Sequence, residues 1–521
     1  MKKPFFLILI LLNSSCSSIK FLNDYSSLSN STSSYSTDNA NLQNWHNLDP
    51  EIDAIPGTSV ERAYKELLKD LDGNKVIVAI IDTGLDIEHE NLSNNIWINN
   101  NEIVNGLDDD NNGYVDDING WNYLGSSYNE TREMTRLLRD NKVNNRKYSL
   151  VEEEIKKEIK KSNDQLNILN YYIQILEDSK ELISGYLGND KFGIDDVNKI
   201  ETEDEKLIRA KTIYKDFESY GYTKEYLNEG IEQYNDFINF HFNVEFNGRT
   251  ANDDIYDIND TNYGDSNINN IKDSESHSTH VSGIISGDRH NNDGNKGINN
   301  LVEIMVLRAI PNGDEYDKDV ALAIRYAVDN GAKVINTSFG KGYSQNPEWV
   351  WDAIKYAGTK DVLIVNAAGN DGLDLDITTS YPNDQNGTGA EMSDNFITIG
   401  ALNYKYGEEM VATFSNYGAT SVDLFSPGVK IWSTTPLDTY EYLQGTSMAS
   451  PDVAGVAAMI RSYYPKLSAK QVKQVLMDSG LHTSTPVIVG GEESNIQPFD
   501  AISKSGNTAN LYNALIMASK M

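Results

Sequence analysis

The stretch Val76-Ile77-Val78-Ala79-Ile80-Ile81-Asp82-Thr83-Gly84 decides the fold of this chain. Its first six residues are apolar and mostly β-branched, and an Asp-Thr-Gly turn follows them directly. A run of this kind is typical of a strand that is buried on both faces, as in a parallel sheet. Asp82 therefore stands at the carboxyl end of a buried strand, the edge at which open α/β sheets gather their ligand-binding side chains.

Further strand-like runs are spread along the chain, at residues 304–307, 333–336, 362–367 and 396–399. Helical patterns lie between several of them, at residues 319–330 and 349–357. Strands that alternate with helices in this way predict an α/β fold, with a mainly parallel sheet flanked by helices.

Residues 132–242 differ from the rest, because they are rich in Lys, Glu, Asp and Asn and contain no strand-like run. Apolar residues recur there at steps of three, four or seven, which gives a helix one apolar face. We therefore predict an all-helical insertion at about residues 130–243, made of two or three long helices. Packing between these helices explains the apolar face, and the alternative is a cover over a functional cleft or a docking face. The repeating residues include Ile155, Ile159, Leu166, Leu169 and Ile173.

The first residues form a targeting segment rather than part of the fold. Two lysines precede an apolar stretch at residues 5–12, which is too short to span a bilayer. Small residues then lead to Cys16, and this order resembles a bacterial lipoprotein signal, although Asn13 stands where an apolar residue is usual. We predict a signal peptide at residues 1–16, a Ser- and Asn-rich linker at 17–50, and a globular domain at 51–521 that the insertion interrupts.

The predicted signal implies a location. An exported protein whose Cys16 carries a lipid would be held at the bacterial outer membrane or cell surface. With a plain secretory signal and an incidental cysteine, the protein would be secreted instead. The chain has one cysteine, which excludes an intrachain disulfide.

The charge balance of the chain limits its partners. Lys and Arg number 44 against 78 Asp and Glu, which gives a net charge of −34. Such a chain repels the phosphates of nucleic acids, so we predict no DNA or RNA partner. A surplus of carboxylates is typical either of a solvated surface or of Ca²⁺ binding.

Two later segments carry side chains that amide hydrolysis requires, namely a nucleophile and a base. His277 opens a predicted helix in Ser276-His277-Ser278-Thr279-His280-Val281-Ser282-Gly283. Ser447 stands directly before an apolar helix, where free N–H groups favour a developing negative charge. A buried Asp82 can accept a hydrogen bond from an imidazole and fix its tautomer.

Together these segments resemble the subtilisin-like serine proteases, or subtilases. Asp-Thr-Gly at residues 82–84, His-x-Thr-His-Val-x-Gly at 277–283 and Gly-Thr-Ser-Met-Ala-Ser-Pro at 445–451 follow the family's order. The resemblance covers roughly residues 50–124 and 246–518 and leaves the insertion outside. It implies a serine endopeptidase in which Asp82 orients His277, His277 is the general base and acid, and Ser447 attacks the carbonyl carbon. It also gives His280 a structural role. Together with the predicted signal, the resemblance predicts an endopeptidase that acts outside the cytoplasm.

Two more segments fit the same family. Asn370 ends an Asn-Ala-Ala-Gly-Asn segment that resembles the family's oxyanion segment, so its side-chain amide would donate to the tetrahedral intermediate. Ser338, Phe339 and Gly340 resemble the strand edge that pairs with an extended substrate, which implies proteins or peptides as substrates. Ser278 departs from the family, which usually has Gly there. Its hydroxymethyl group could crowd the loop, but it removes no proton-transfer group, so we expect activity to survive.

An acidic stretch at residues 108–117 resembles the start of a calcium-binding loop. Gly113 would supply its sharp turn, but Asn119 replaces the bidentate Glu of an EF-hand, and an acidic surface turn is the alternative. Any Ca²⁺ would be structural, because the triad needs no cofactor. The candidate ligands are Asp108, Asp110, Asn112, the carbonyl of Tyr114, and Asp116.

Three functions of different classes remain open from the sequence. An active subtilase is the one that every catalytic group supports. A non-catalytic relative would bind partners through the cleft or the insertion, but the complete set of catalytic groups argues against it. A calcium-dependent surface adhesin would rest on the acidic loop and the insertion alone.

Overall fold

The strands of the fold are short. The computed structural model describes residues 42–142, 145–273, 275–291, 294–385 and 390–521, and within these ranges it contains thirteen strands. They are β1 (Val76–Asp82), β2 (Gly120–Asn122), β3 (Val302–Arg308), β4 (Val334–Thr337), β5 (Leu363–Ala367), β6 (Phe396–Leu402), β7 (Leu424–Pro427), β8 (Ile431–Thr435), β9 (Thr439–Leu443), β10 (Leu481–His482), β11 (Pro486–Ile488), β12 (Ile496–Pro498) and β13 (Asn507–Thr508).

Twelve α-helices accompany these strands in the described ranges, and short 3₁₀ or π turns extend or connect some of them. The helices are α1 (Val60–Ala63), α2 (Glu133–Arg139), α3 (Asn145–Leu187), α4 (Ile194–Asn198), α5 (Glu205–Tyr220), α6 (Lys224–Asp236), α7 (His277–Ser286), α8 (Asp317–Asp329), α9 (Pro347–Thr359), α10 (Thr446–Tyr463), α11 (Ala469–Asp478) and α12 (Leu511–Ala518).

One sheet organises the described part of the molecule. Its nine strands follow the order β10-β13-β7-β6-β5-β4-β1-β3-β2. All pairs of neighbouring strands in this sheet are parallel, except β10 and β13, which are antiparallel. The runs predicted at 76–81, 304–307, 333–336, 362–367 and 396–399 are β1, β3, β4, β5 and β6. The predicted α/β class is therefore confirmed.

Helices cover both faces of the sheet, which explains why the strands are apolar throughout. Val78 and Ile80 point to one face, where they join the core built with α7, α10, α11 and α12. Ala79 and Ile81 point to the other face and join the core built with α8 and α9. Neighbouring residues of β1 thus serve two separate cores, because strand side chains alternate between faces.

The predicted helical insertion is confirmed between the Asp82 and His277 segments, as helices α2 to α6. It consists of one 43-residue helix, α3, against which the shorter α5 and α6 pack. Its own core takes up Leu169 and Ile173 of the apolar face seen in the sequence, whereas Ile155 and Ile159 pack in a second cluster with residues that include Tyr343 of the main body. The buried residues of that core include Leu176, Ile183, Leu207, Tyr214 and Phe217.

A buried arginine fastens the insertion to the main body. Arg136 of α2 donates at 2.8 Å to the carbonyl oxygens of Asp314 and Glu315, which follow β3. It is also paired with Glu133. Because Arg136 is 2% exposed, these contacts have little competition from water, and they fix the base of the insertion beside the carboxyl ends of the strands.

The predicted linker at residues 17–50 extends too far. Residues 42–50 pack on the domain, where Trp45 is fully buried and its indole N–H donates to the carbonyls of Val429 at 3.1 Å and Lys430 at 3.2 Å. Leu42 and Leu48 of the same segment pack against the core beside Trp45 and help to hold the segment there. Residues 17–41, and the predicted signal with Cys16, lie outside the described residues.

None of the helices in the described ranges combines the length and apolar character that crossing a bilayer requires.

Candidate active site

The site lies where β1 and β4 end side by side. Ile81 pairs in register with Thr337, so Asp82 and Ser338 are the next residues on two neighbouring parallel strands. Such strands lie about 4.8 Å apart. The sheet therefore brings the predicted acid of β1 next to the predicted substrate edge after β4.

Asp82 and His277 are in direct contact. The imidazole Nδ1 of His277, the first residue of α7, lies 2.7 Å from Oδ1 of Asp82, which also accepts the main-chain N–H of Thr83 at 2.7 Å. Since the carboxylate can only accept, Nδ1 carries the proton and Nε2 keeps a free lone pair. Because Asp82 is buried, water does not compete for its carboxylate, which favours the tautomer of His277 that carries its proton on Nδ1.

The pKa of His277 reflects two opposing effects. Burial lowers it, but the charge of Asp82 and the hydrogen bond to Asp82 more than offset this, so the pKa is raised above the ordinary value of 6.5. The ring is 35% exposed and can be reached from the cleft. A histidine with a raised pKa binds a proton more strongly than a free imidazole does, which suits a general base.

Ser447 stands in the first turn of α10, beside the end of β4. Its hydroxyl donates to the carbonyl of Ser338 at 3.0 Å, and the hydroxyl of Ser338 donates back to the carbonyl of Ser447 at 2.9 Å. Ser447, the predicted nucleophile, thus lies one strand away from Asp82, and its hydroxyl is hydrogen-bonded to Ser338. Hydrogen bonds between a nucleophile and its base often form only when substrate is bound.

Two hydrogen-bond donors converge beside Gly445. A Cβ added there would lie 3.4 Å from the side-chain nitrogen of Asn370 and 3.5 Å from the main-chain nitrogen of Ser447. One oxygen atom can therefore approach both donors, provided that residue 445 has no side chain. This arrangement suits the oxyanion of a tetrahedral intermediate.

The predicted substrate edge keeps free main-chain groups. Among the described residues, no main-chain hydrogen bond involves Phe339 or Gly340, whereas Lys341 pairs with Tyr381 in both directions at 2.8 and 2.9 Å. The side chain of Phe339 packs against the core on the α8 and α9 side. An unpaired strand edge of this kind can receive an extended peptide.

His280 serves the structure one helical turn after His277. It is fully buried, and its Nε2 contacts the carbonyls of Ile431 at 3.1 Å and Glu441 at 3.2 Å. Burial lowers its pKa to about 3, so the ring is neutral. It therefore holds the β8–β9 hairpin against α7, in line with the structural role that the resemblance implied.

Glu275 is a positioning residue that sequence reasoning missed. Its Oε1 accepts the N–H of Gly84 at 2.9 Å and Nε of Arg308 at 3.1 Å, and its Oε2 accepts the N–H of Ile271 at 2.6 Å. One buried carboxylate thus ties the Asp82 turn to the segment that leads into His277. Glu275 stands two residues before His277, but its contacts with Gly84 and Arg308 join segments far apart in sequence.

The acidic loop brings together some of its predicted ligands. Carboxylate oxygens of Asp108 and Asp110 lie within 4.8 Å of each other and of Glu102, which the sequence analysis did not name. Asp116 is not part of this group, because it accepts the N–H groups of Asn105 at 2.8 Å and Gly106 at 3.0 Å. The oxygens of Glu102, Asp108 and Asp110 suit a hard cation such as Ca²⁺.

The amide of Asn112 faces other carboxylates of the same loop. Its Nδ2 donates to Asp110 at 3.3 Å and to Asp117 at 2.9 Å, while its oxygen accepts the N–H of Tyr114 at 2.8 Å. In the described part of the chain, the carbonyl oxygen of Tyr114 accepts no main-chain hydrogen bond outside the helices and strands. Of the five predicted ligands, Asp108 and Asp110 therefore have the clearest geometric support.

Comparison with known proteins agrees with this geometry. The model of the subtilase family matches residues 73–501. Over 208 residues, or 40% of this chain, the sequence is 39% identical to a thermophilic serine proteinase of Bacillus sp. (strain AK1), of which 46% is covered. It is 38% identical over 43% of this chain to a cell wall-associated protease of Bacillus subtilis (strain 168), of which 23% is covered.

A third relative is covered more fully. Subtilisin DY of Bacillus licheniformis is 33% identical over 227 residues, which are 43% of this chain and 77% of that protein. By contrast, the chain spans less than half the length of each of the first two relatives. The match to the family model runs through β1, the insertion and the Ser447 segment. The chain belongs to the subtilase family.

Proposed function

We propose that this protein is a serine endopeptidase that uses Asp82, His277 and Ser447, with Asn370 as a donor to the oxyanion. The bond between Asp82 and His277 at 2.7 Å, next to two donors that converge beside Gly445, is the observation that carries the proposal. Membership of the subtilase family supports the same reaction class.

The reaction would proceed by acyl transfer. Nε2 of His277 takes the hydroxyl proton of Ser447 while Oγ bonds to the carbonyl carbon, and the oxyanion receives hydrogen bonds from Asn370 Nδ2 and the Ser447 N–H. The imidazolium then gives its proton to the leaving nitrogen as the C–N bond breaks. Water attacks the acyl-enzyme in the same manner, which releases the acid and restores the hydroxyl.

Covalent labelling tests this proposal most directly. A fluorophosphonate probe should label the folded parent protein at Ser447, and Ser447→Ala should lose both the label and the cleavage of casein. Heat-denatured parent protein is the control for nonspecific labelling. A Ser447→Ala variant as active as the parent would contradict the proposal, and a folded parent that never reacts would favour the non-catalytic binding role.

We also propose that the protein acts outside the cytoplasm and is anchored by a lipid on Cys16. The support is the order of basic, apolar and small residues before this cysteine. The name of the cell wall-associated relative is consistent with an exported location. In a bacterial host, Cys16→Ala should move the protein from the membrane fraction to the soluble fraction. Unchanged membrane association would argue against acylation.

A structural Ca²⁺ is a further part of the proposal. Glu102, Asp108 and Asp110 offer converging carboxylate oxygens, and Asp116 shapes the neighbouring turn. The ion would stabilise the loop by offsetting the mutual repulsion of these carboxylates. It takes no part in bond cleavage.

A further inference from the structure

A large cavity lies between the helical insertion and the rim of the catalytic site. Its volume is about 1180 Å³. The walls come from α3, the α5–α6 connection and α6 on one side, and from the β8–β9 hairpin on the other. Ser276, the residue directly before His277, also lines it. We call this space the insertion cavity.

The insertion cavity is acidic. The described side chains that line it include five carboxylates, while Arg132, its one guanidinium, is paired with Asp314 at 2.6 Å. His241 adds no positive charge near neutral pH, because its pKa is lowered to about 4, chiefly by burial. The space therefore carries a negative potential. The carboxylates belong to Glu229, Glu232, Asp236, Asp273 and Glu441.

Aromatic rings line the insertion side of the same space. Tyr172, Tyr222 and Tyr226 form a stack, with ring centroids 6.2 Å apart for the first pair and 5.8 Å for the second. Tyr226 is 55% exposed, and Leu437, on the opposite wall, is 66% exposed. Aromatic faces attract cations and also bind apolar side chains, so this wall suits a chain that contains both.

We propose that the insertion cavity binds the polypeptide substrate beyond the cleaved bond and selects segments that are rich in Lys, Arg and aromatic residues. This proposal rests on the proposed peptidase function. Two observations support this occupant: the acidic lining complements a cationic chain, and the cavity is continuous with the segment that carries the general base. Because Ser276, next to His277, lines the cavity, a substrate chain that leaves the catalytic residues on this side would come close to it.

Three fluorogenic peptides with one common cleavable core test the inference. The first has no extension, the second has an extension of about six Lys, Arg and Tyr residues, roughly 20 Å when extended, and the third replaces each Lys and Arg by Glu. Extensions are placed on either side of the core in turn. At low ionic strength, we expect kcat/KM for the cationic peptide to exceed that for the anionic peptide by roughly tenfold on one side, because several weak charge contacts add.

Paired substitutions locate the effect. Glu229→Gln together with Glu232→Gln should reduce the cationic-to-anionic ratio of kcat/KM by roughly threefold or more. Glu181→Gln with Glu203→Gln removes the same charge from exposed places on the insertion that do not line the cavity, and should leave the ratio unchanged. The ratio compares two substrates on one preparation, so it does not depend on the fraction of folded enzyme.

The outcomes separate this inference from the proposed function. Cleavage of the bare core with no preference between the extensions would overturn the inference and leave the peptidase proposal standing. An equal loss of preference in both pairs of variants would also overturn it, since the effect would then come from net charge. A parent that cleaves none of the peptides would contradict the peptidase function itself, and the inference with it. Concentrated NaCl should reduce the preference if charge causes it.

Discussion

Asn370 accepts two hydrogen bonds from Thr446, one from its main-chain N–H at 2.8 Å and one from its hydroxyl at 3.0 Å. Both reach the amide oxygen, so the amide nitrogen must face the other way, towards the space beside Gly445. The hydroxyl of Thr446 also accepts the N–H of Gly369 at 3.0 Å. The residue before Ser447 thus fixes the direction of the amide that we propose as the oxyanion donor.

Removing that hydroxyl should slow turnover. We expect Thr446→Val to lower kcat about fivefold with little change in KM, because one hydrogen bond of about 1 kcal/mol no longer orients Asn370. Thr446→Ser, which keeps the hydroxyl, should recover most of the activity. The measurement is kcat and KM on a short peptide, corrected by titration of reactive Ser447. A Val variant as fast as the Ser variant would show that the hydroxyl is not needed for orientation.

The pH profile should report the raised pKa of His277. The base works only when neutral, so activity falls as the pH drops through its pKa, and we expect the acid limb of kcat/KM to have its midpoint above pH 6.5. Asp82→Asn removes the charge that raises this pKa and leaves the burial that lowers it. The limb of that variant should therefore move to lower pH while turnover falls by orders of magnitude.

The pH shift of the acid limb of kcat/KM is the result that decides the Asp82→Asn experiment. Loss of rate alone could follow from a misplaced ring. A limb that stays at the pH of the parent would mean that Asp82 does not set the pKa of His277 in the working enzyme.

Most of the sheet and the order of the site segments could be predicted from the sequence, because both depend on local patterns. The apolar run of β1 and the turn after it predict a buried strand with Asp82 at its end, and the structure has that strand. The insertion was visible for the same reason, since its composition changes at its boundaries. The hydrogen bond between His277 and Asp82 needed the fold, because it joins residues 195 apart in sequence.

Contacts between distant segments account for what the sequence did not predict. The carboxylates of Glu275 and Glu102 accept main-chain N–H groups that only the fold brings next to them. No local sequence motif predicts such a contact. Trp45 lies in a polar stretch that reads as linker, but its burial depends on Val429 and Lys430. The insertion cavity likewise exists only because the insertion and the β8–β9 hairpin face each other.

Calcium should stabilise the parent protein through the acidic loop. Ligand present at about 100 times its Kd stabilises the folded state by about 2.7 kcal/mol, so chelation should lower the melting temperature by several degrees. Asp110→Asn should abolish this response, because a ligand oxygen loses its charge. Asp109→Asn is the matched control, since Asp109 is exposed and contacts Asn105 at 2.8 Å outside the group. An equal response to calcium in all three proteins would contradict this site.

Ser278 should be replaceable by Ala with a gain in stability. The residue is fully buried in the first turn of α7, and within the described part its hydroxyl has no hydrogen-bond partner, so the folded state bears the cost of desolvating it. Removing the hydroxyl, in favour of a better helix former, should raise the free energy of unfolding by about 1 kcal/mol. Thr279→Val is the contrasting variant, because the Thr279 hydroxyl accepts the N–H of Asp86 at 3.1 Å and its loss should destabilise the protein. Denaturant unfolding in a Ser447→Ala background avoids self-digestion, and an unchanged m value allows the midpoints to be compared. If Ser278→Ala proves less stable than its parent, the buried hydroxyl forms a hydrogen bond that offsets its desolvation, and the prediction is wrong.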